Sequence, residues 1–375
     1  MVLDLIRAHL PRWAGRSGAT PPPARPPSRP GAGWVLVGVL VALLASCSPG
    51  AGAAPTPAPT TRPGGAPLAA TPLAATTRTS EPTAGCPRKL ATSRGVDVIP
   101  QKPQRIHTLS LGLDEITFAL VEPARVAAVA RATANPSWSN VAGLAAQVPL
   151  QVGRDAEEVL AARPDLVVAY PLAKAELVKA LEDAGVAVVM TDGYRGLDSH
   201  VENIRLLAYL YGEEERGEQL VRQVQERLAR IDRVVGQKAA SERPRVLLLT
   251  GGERIFTPGE GSNEDDILRR AGGVNVAAEA GIKGNKQVSL ETIPALNPDV
   301  ILLYEPDPAK PQVQSAVLAH PALQDLPAIK DKRYHHVTHR YLTTLSHWNV
   351  CGVEQVAKLL YPDDFRGLEV DPCRF

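Results

Sequence analysis

Cysteine is scarce in this chain: four in 375 residues, with no Cys-x-x-Cys spacing. That excludes a thiolate metal ribbon or a dithiol redox motif. The chain also lacks a Walker-type phosphate loop and a serine set in a nucleophile elbow. "GEGSNE", residues 259–264, has neither the strand nor the spacing of a dinucleotide fingerprint. An enzyme is therefore not expected. Neither sign of charge dominates, since 41 Lys and Arg face 40 Asp and Glu for a net charge of +1. This gives no case for nucleic-acid or polyanion binding. Aromatic residues make up only 4% of the chain, so any gathering of them carries more information than usual.

What is present begins with a repeat. "EEVLAARPDLVVAY", residues 157–170, returns as "ETIPALNPDVILLY", residues 291–304. In the first copy Glu157 opens a helical turn, and Pro164 stops it, because proline cannot continue the hydrogen-bond ladder and restricts the residue before it. "LVVAY" and "VILLY" are short aliphatic runs bounded by turn signals, as expected of parallel strands buried on both faces. Two copies of helix, Pro-Asp turn and buried strand predict two α/β lobes with mainly parallel sheets. Between them, residues 213–238 place Leu220, Val224, Leu228, Ile231 and Val235 on one stripe of a single long helix.

The N-terminal part reads differently. "GWVLVGVLVALLAS", residues 33–46, follows an Arg-bearing segment and is too short for a secure membrane span, which fits a secretory signal. It ends in Leu44-Ala45-Ser46-Cys47, which resembles a bacterial lipobox with Cys47 as the lipidated residue. The stretch that follows is Pro, Ala, Thr and Gly with few large apolar residues, a composition that cannot offset the entropy of ordering. The expected organisation is a signal peptide over 1–46 and a lipid-anchored tether over 47–85. An N-terminal lobe over 86–210, an inter-lobe helix over 211–240 and a C-terminal lobe over 241–375 complete it. After Cys47 three cysteines remain, so at most one internal disulfide can form. Cys86–Cys373 and Cys351–Cys373 both stay open.

Taken in order, "KPQRIHTLSLGLDEITFAL", "EEVLAARPDLVVAY", "AGGVNVA", "SLETIPALNPDVILL" and "VAKLLYPDDF" resemble the substrate-binding proteins of ABC importers for ferric siderophores and vitamin B12. The likeness covers the body from Pro87 to Phe365. It implies a ligand cleft between lobes joined by one backbone helix, with no cofactor. The expected function is an extracytoplasmic solute-binding lipoprotein, held on the outer face of the cell membrane. It would capture a metal chelate, a ferric siderophore before cobalamin or haem, and deliver it to a permease dimer with its ATPase. A monomer is expected. The resemblance also implies that Glu157 and Glu291 present one acidic docking residue per lobe to the transporter. Vitamin B12 binders carry an aromatic six residues before each docking glutamate. Here those positions are Gln151 and Asn285, which weakens the corrinoid case. A tethered sensor or adhesin on the same fold is the alternative from another class.

Ligands of parallel α/β sheets bind beyond the carboxyl ends of the strands. That rule assigns Trp138, Tyr170, Tyr194, Arg254, Phe256, Tyr304, Arg340, Tyr341, His347 and Trp348 to the cleft. Tyrosine and tryptophan offer a flat apolar face and a polar tip for a large rigid chelate. Arg154, Arg195, Arg254, Lys283, Lys286 and Arg340 are the cations for anionic oxygen donors. No direct protein–metal site is expected. His335 and His336 alternate to opposite faces of a strand, His107 reads as a core histidine, and His339 and His347 are the two near the cleft.

Overall fold

The structure, a computed structural model, describes residues 85–92, 95–194, 196–307, 309–366 and 373–375. Cys47, the signal segment, nearly all of the tether and Arg195 lie outside the described residues. The repeat does build two lobes. In the first, β3 (Ile106–Thr108), β4 (Val126–Ala130), β5 (Gln151–Val152), β6 (Leu166–Ala169) and β7 (Ala187–Met190) form a parallel sheet in the order β5-β4-β3-β6-β7. It is preceded by an antiparallel hairpin of β1 (Arg88–Thr92) and β2 (Gly95–Ile99). In the second lobe, β8 (Arg245–Gly251) takes β12 (Val300–Leu303) and β10 (Val274–Asn275) in parallel, and β13 (Tyr334–His336) extends β12. An antiparallel edge of β9 (Ile255–Pro258) and β11 (Asn285–Gln287) completes it.

The two repeated strands are buried on both faces, as their unbroken apolar runs require. Leu166 and Val168 enter one core of the first lobe, Val167 and Ala169 the other. Val300 and Leu302 are divided in the same way from Ile301 and Leu303. The turns match too: Arg163 and Asn297, each just before Pro-Asp, have φ of 48° and 45°, a left-handed stop for the short helix before them. A second pair of residues completes the unit. Arg105 donates to the carbonyls of Arg163 and Ala162 at 2.7 and 2.5 Å, while its backbone N–H reaches Asp165 at 3.0 Å. Arg245 repeats this with Asn297 and Leu296 at 3.2 and 3.0 Å, and with Asp299 at 2.8 Å. In both lobes one arginine at a strand start satisfies the free carbonyls of the repeated helix.

The long helix runs from Glu214 to Val235, roughly 33 Å at 1.5 Å per residue. Leu220, Val221 and Val224 enter the core of the first lobe, Ile231 and Val235 that of the second, and Leu228 packs against both. The stripe read from the sequence is thus one rod anchored in two cores. Cys351 pairs with Cys373, their Cα atoms 5.8 Å apart, and Cys86 is a free, exposed thiol.

Candidate functional site

Beyond the carboxyl ends of β3, β4, β6 and β7 lies a cavity of about 770 Å³. Each wall segment follows a strand, because a buried parallel strand must release its chain at that end. Leu109 to Gly112 follow β3, Ala132 and Trp138 follow β4, Tyr170 to Lys174 follow β6, and Gly193 and Tyr194 follow β7. The second lobe contributes Thr343, Thr344 and Leu345. Ser110 both lines the cavity and caps the helix Leu111–Leu120, its hydroxyl accepting from the Leu113 N–H at 3.4 Å.

Of the residues assigned to the cleft from sequence, Trp138, Tyr170 and Tyr194 line this cavity, as does the cation Arg154. Lys174 and Leu172 were not singled out. Leu172 is 92% exposed, a large apolar side chain held open to solvent beside Tyr170. Its only sequence signal was its place two residues beyond a strand-end tyrosine.

The other seven do not line this cavity. Arg254 is exposed in the turn between β8 and β9, and Phe256 is half-buried on β9. Tyr304 is buried, stacked on His339 with ring centroids 6.0 Å apart and its hydroxyl 3.5 Å from the Glu264 carboxylate. Arg340 reaches across the lobes to the Pro136 carbonyl at 3.4 Å. Tyr341 stacks on Trp348, and His347 is fully buried with its ring edge-on to Phe375 at 4.6 Å. The loop after β13 folds back into the joint between the lobes, so its aromatics become packing. Lys283 pairs with Glu260, and Lys286 lies exposed on β11.

Burial governs the titrating groups around the cavity. His107 bonds the Ala128 carbonyl through Nδ1 at 2.8 Å, and loss of solvation pulls it down to about 4. His339, under Trp138 at 4.7 Å in an edge-on contact, falls to about 4 for the same reason. The Asp114 carboxyl is pushed up to about 7 by burial, against hydrogen bonds from Thr108, Thr133 and the Ala130 N–H that favour its charged form. Among the described residues no group of three or more His, Cys, Asp or Glu could hold a metal ion.

The two repeat carboxylates differ from their neighbours. Glu157 is exposed in the first turn of the helix Ala156–Ala161, which Asp155 caps. Adjacent Glu158 turns inward to Arg131 at 2.6 Å and to the Gly153 N–H, so it is engaged within its own lobe. Glu291 is exposed at the equivalent place, touching Ser289 and lying 3.2 Å from His320. A hydrogen bond from its own backbone N–H, and then the His320 contact, hold its carboxyl below the usual range.

Two α/β lobes on one rod, with an apolar cavity at the strand ends of the first lobe, are the frame of a solute-binding protein. The comparisons with known proteins agree. The sequence pattern of the periplasmic binding protein family matches residues 106–341. The chain is 26% identical over 272 residues to the uncharacterized ABC transporter substrate-binding lipoprotein YvrC of Bacillus subtilis, covering 72% of this chain and 83% of that one. A periplasmic heme-binding protein from Pseudomonas aeruginosa superposes with a TM-score of 0.59 at 27% identity, over 70% of this chain and 94% of that chain. The molybdate-binding protein MolA of Haemophilus influenzae gives 0.63 at 24% identity, over 73% and 91%, a likeness of fold. The chain belongs to the periplasmic binding protein family, in its class of two-lobed proteins whose members bind iron chelates, haem or vitamin B12. It is an extracytoplasmic substrate-binding protein, a carrier and not an enzyme. Among the described residues no helix is long and apolar enough to cross a membrane.

Proposed function

We propose that this chain is the solute-binding lipoprotein of an ABC importer and captures a preformed metal chelate, a ferric siderophore, in the cavity at the ends of β3, β4, β6 and β7. The observation that carries the reading is the chemistry of the lining. It is largely apolar, with Trp138, Tyr170 and Tyr194 as flat surfaces and, among the described residues, Arg154 and Lys174 as its cations and no carboxylate, histidine or thiol. A bare cation would need such ligands. A small oxyanion would leave most of the cavity's roughly 770 Å³ unfilled. A chelate satisfies its metal internally and presents a bulky surface with anionic oxygens, which arginine and lysine match.

Haem is the second reading, favoured by the same flat apolar walls and by the likeness to a heme-binding protein. Titration of the soluble body with a ferric hydroxamate, a ferric catecholate, haemin and cyanocobalamin, read by tryptophan quenching, separates these. Saturable binding of either ferric siderophore supports the proposal. Binding of haemin or cobalamin alone moves the ligand class, and no binding by any of the four removes the chelate reading.

Docking is proposed through Glu157 and Glu291, each exposed at the same place of its own lobe. A two-lobed carrier meeting a two-fold permease needs one contact per lobe. Anchoring is proposed at Cys47, the sulfur of the lipobox-like segment. Cys47→Ser is expected to leave the protein unprocessed or released into the medium, because serine cannot take the thioether-linked lipid. Fractionation and mass spectrometry of the mature protein check this, and a correctly processed, membrane-bound Cys47→Ser protein would refute it.

A further inference from the structure

One oxygen of a buried carboxylate serves each lobe. Glu115, on the helix Leu111–Leu120 of the first lobe, is fully buried. Its Oε1 accepts from the backbone N–H and side-chain Nδ2 of Asn140 at 2.8 and 2.9 Å, both within the first lobe. Its Oε2 accepts from the hydroxyls of Thr344 and Ser346, each at 2.5 Å, across the lobe boundary. Two further contacts fasten the same short loop. The Tyr170 hydroxyl donates to the Leu345 carbonyl at 3.1 Å. That carbonyl also lies so close to Gly112 that an added Cβ would sit 2.4 Å from it. Only a residue without a side chain lets the loop approach this far.

Among the described residues the loop is also the cavity's only wall from the second lobe: of the lining residues, Thr343, Thr344 and Leu345 alone come from beyond the long helix. We infer that Glu115 is a positioning residue for ligand binding, a buried clamp that fixes the 344–346 loop onto the first lobe and so sets the floor of the cavity. The cavity then behaves as part of the first lobe with a grafted floor, and its shape does not wait for the lobes to close. A carboxylate suits the task because it accepts four hydrogen bonds at once and offers no donor to compete with the two hydroxyls. This inference rests on the cavity being the ligand site, as proposed above, but the clamp itself is testable without any ligand.

The test compares wild type with Glu115→Leu, Glu115→Gln and Ser346→Ala by amide hydrogen exchange and ligand titration. Glutamine keeps an acceptor for Asn140, and its amide can donate to the hydroxyl oxygens, so it should largely restore the clamp. In Glu115→Leu, exchange over 343–347 should rise by roughly tenfold or more, the factor for losing a hydrogen bond to a charged acceptor. The helix Asn349–Leu360 should keep its protection. Ser346→Ala, the milder change should the leucine variant not fold, should raise exchange in the same loop and nowhere else. Haemin and a ferric hydroxamate are the ligand probes. Whichever binds wild type should bind Glu115→Leu at least about tenfold more weakly, through faster release, with Gln near wild type. Unchanged loop exchange in all three variants, exchange rising evenly along the chain, or unchanged affinity with a loosened loop would each overturn the inference. If none of the four ligands titrated above binds wild type, the functional reading is what fails, and loop exchange alone still decides the clamp.

Discussion

Reversing Glu157 and Glu291 together to lysine is expected to abolish uptake while leaving ligand affinity of the purified protein unchanged. Both carboxylates are exposed, neither lines the cavity, and each stands at the head of its repeat. Like charges set against one another across an interface weaken association by roughly a hundredfold or more. Each single reversal should be partial, since the other lobe keeps its own contact. Fold is not at risk. Lysine in the first turn of Ala156–Ala161 costs about 0.3–1 kcal/mol against the helix dipole, and Glu291 gives up only its contacts with Ser289 and His320. Glu158→Lys is the control, because that side chain pairs with Arg131 and should disturb the lobe rather than docking. Uptake and ligand binding on the same set of variants decide the matter. Loss of ligand binding in a folded double variant would put these carboxylates in the pocket. Retained uptake in that variant would show that docking does not run through these two carboxylates.

The repeat was legible because one sentence of sequence encodes one physical unit. Its strands read as apolar runs, its turns as Pro-Asp, and its helices as the residues between. The partners that finish the unit were not legible. Arg105 and Arg245 lie some 60 and 50 residues from the carbonyls they satisfy, and nothing local marks them. Short strands were missed for a different reason. β5 is two residues long with Gln151 exposed, and β11 is Asn-Lys-Gln, exposed throughout, so neither carries an apolar alternation to detect.

The site shows the same limit. Trp138, Tyr170 and Tyr194, named for their strand-end position, line the cavity. Of the loop after β13, where the same rule was applied, Tyr341, His347 and Trp348 do not line that cavity. That chain turns back under the lobes and is held there by Glu115 and by the Phe375 ring. Whether a loop faces solvent or a second lobe depends on contacts more than 200 residues apart in sequence. The buried polar residues were missed for a related reason. Glu115 looks like an ordinary surface glutamate on an amphipathic helix until the other lobe covers it.

The second large effect is expected at Arg227, on the long helix. Its guanidinium donates through Nη1 to both carboxylate oxygens of Glu354, at 3.1 and 3.0 Å, with the side chains only 12% and 8% exposed. It also reaches the Arg374 carbonyl at 3.3 Å and lies over the Phe375 ring at 5.3 Å. The same side chain thus ties the rod to the helix Asn349–Leu360 and to the segment that Cys351–Cys373 pins. Arg227→Met removes the partner and leaves the Glu354 carboxylate buried, which costs about 3–5 kcal/mol. That is a large part of the roughly 5–15 kcal/mol that holds a domain folded. Thermal and urea unfolding should show it clearly. A pair of matched apolar or neutral groups carries no such penalty. Arg227→Met combined with Glu354→Gln should therefore recover most of the loss, even though it removes one more charge. Neither residue lines the cavity, so the ligand affinity of the folded fraction should hold in both variants. A double variant no more stable than Arg227→Met alone would show that the guanidinium matters through its packing on Phe375 rather than through the charge it neutralises.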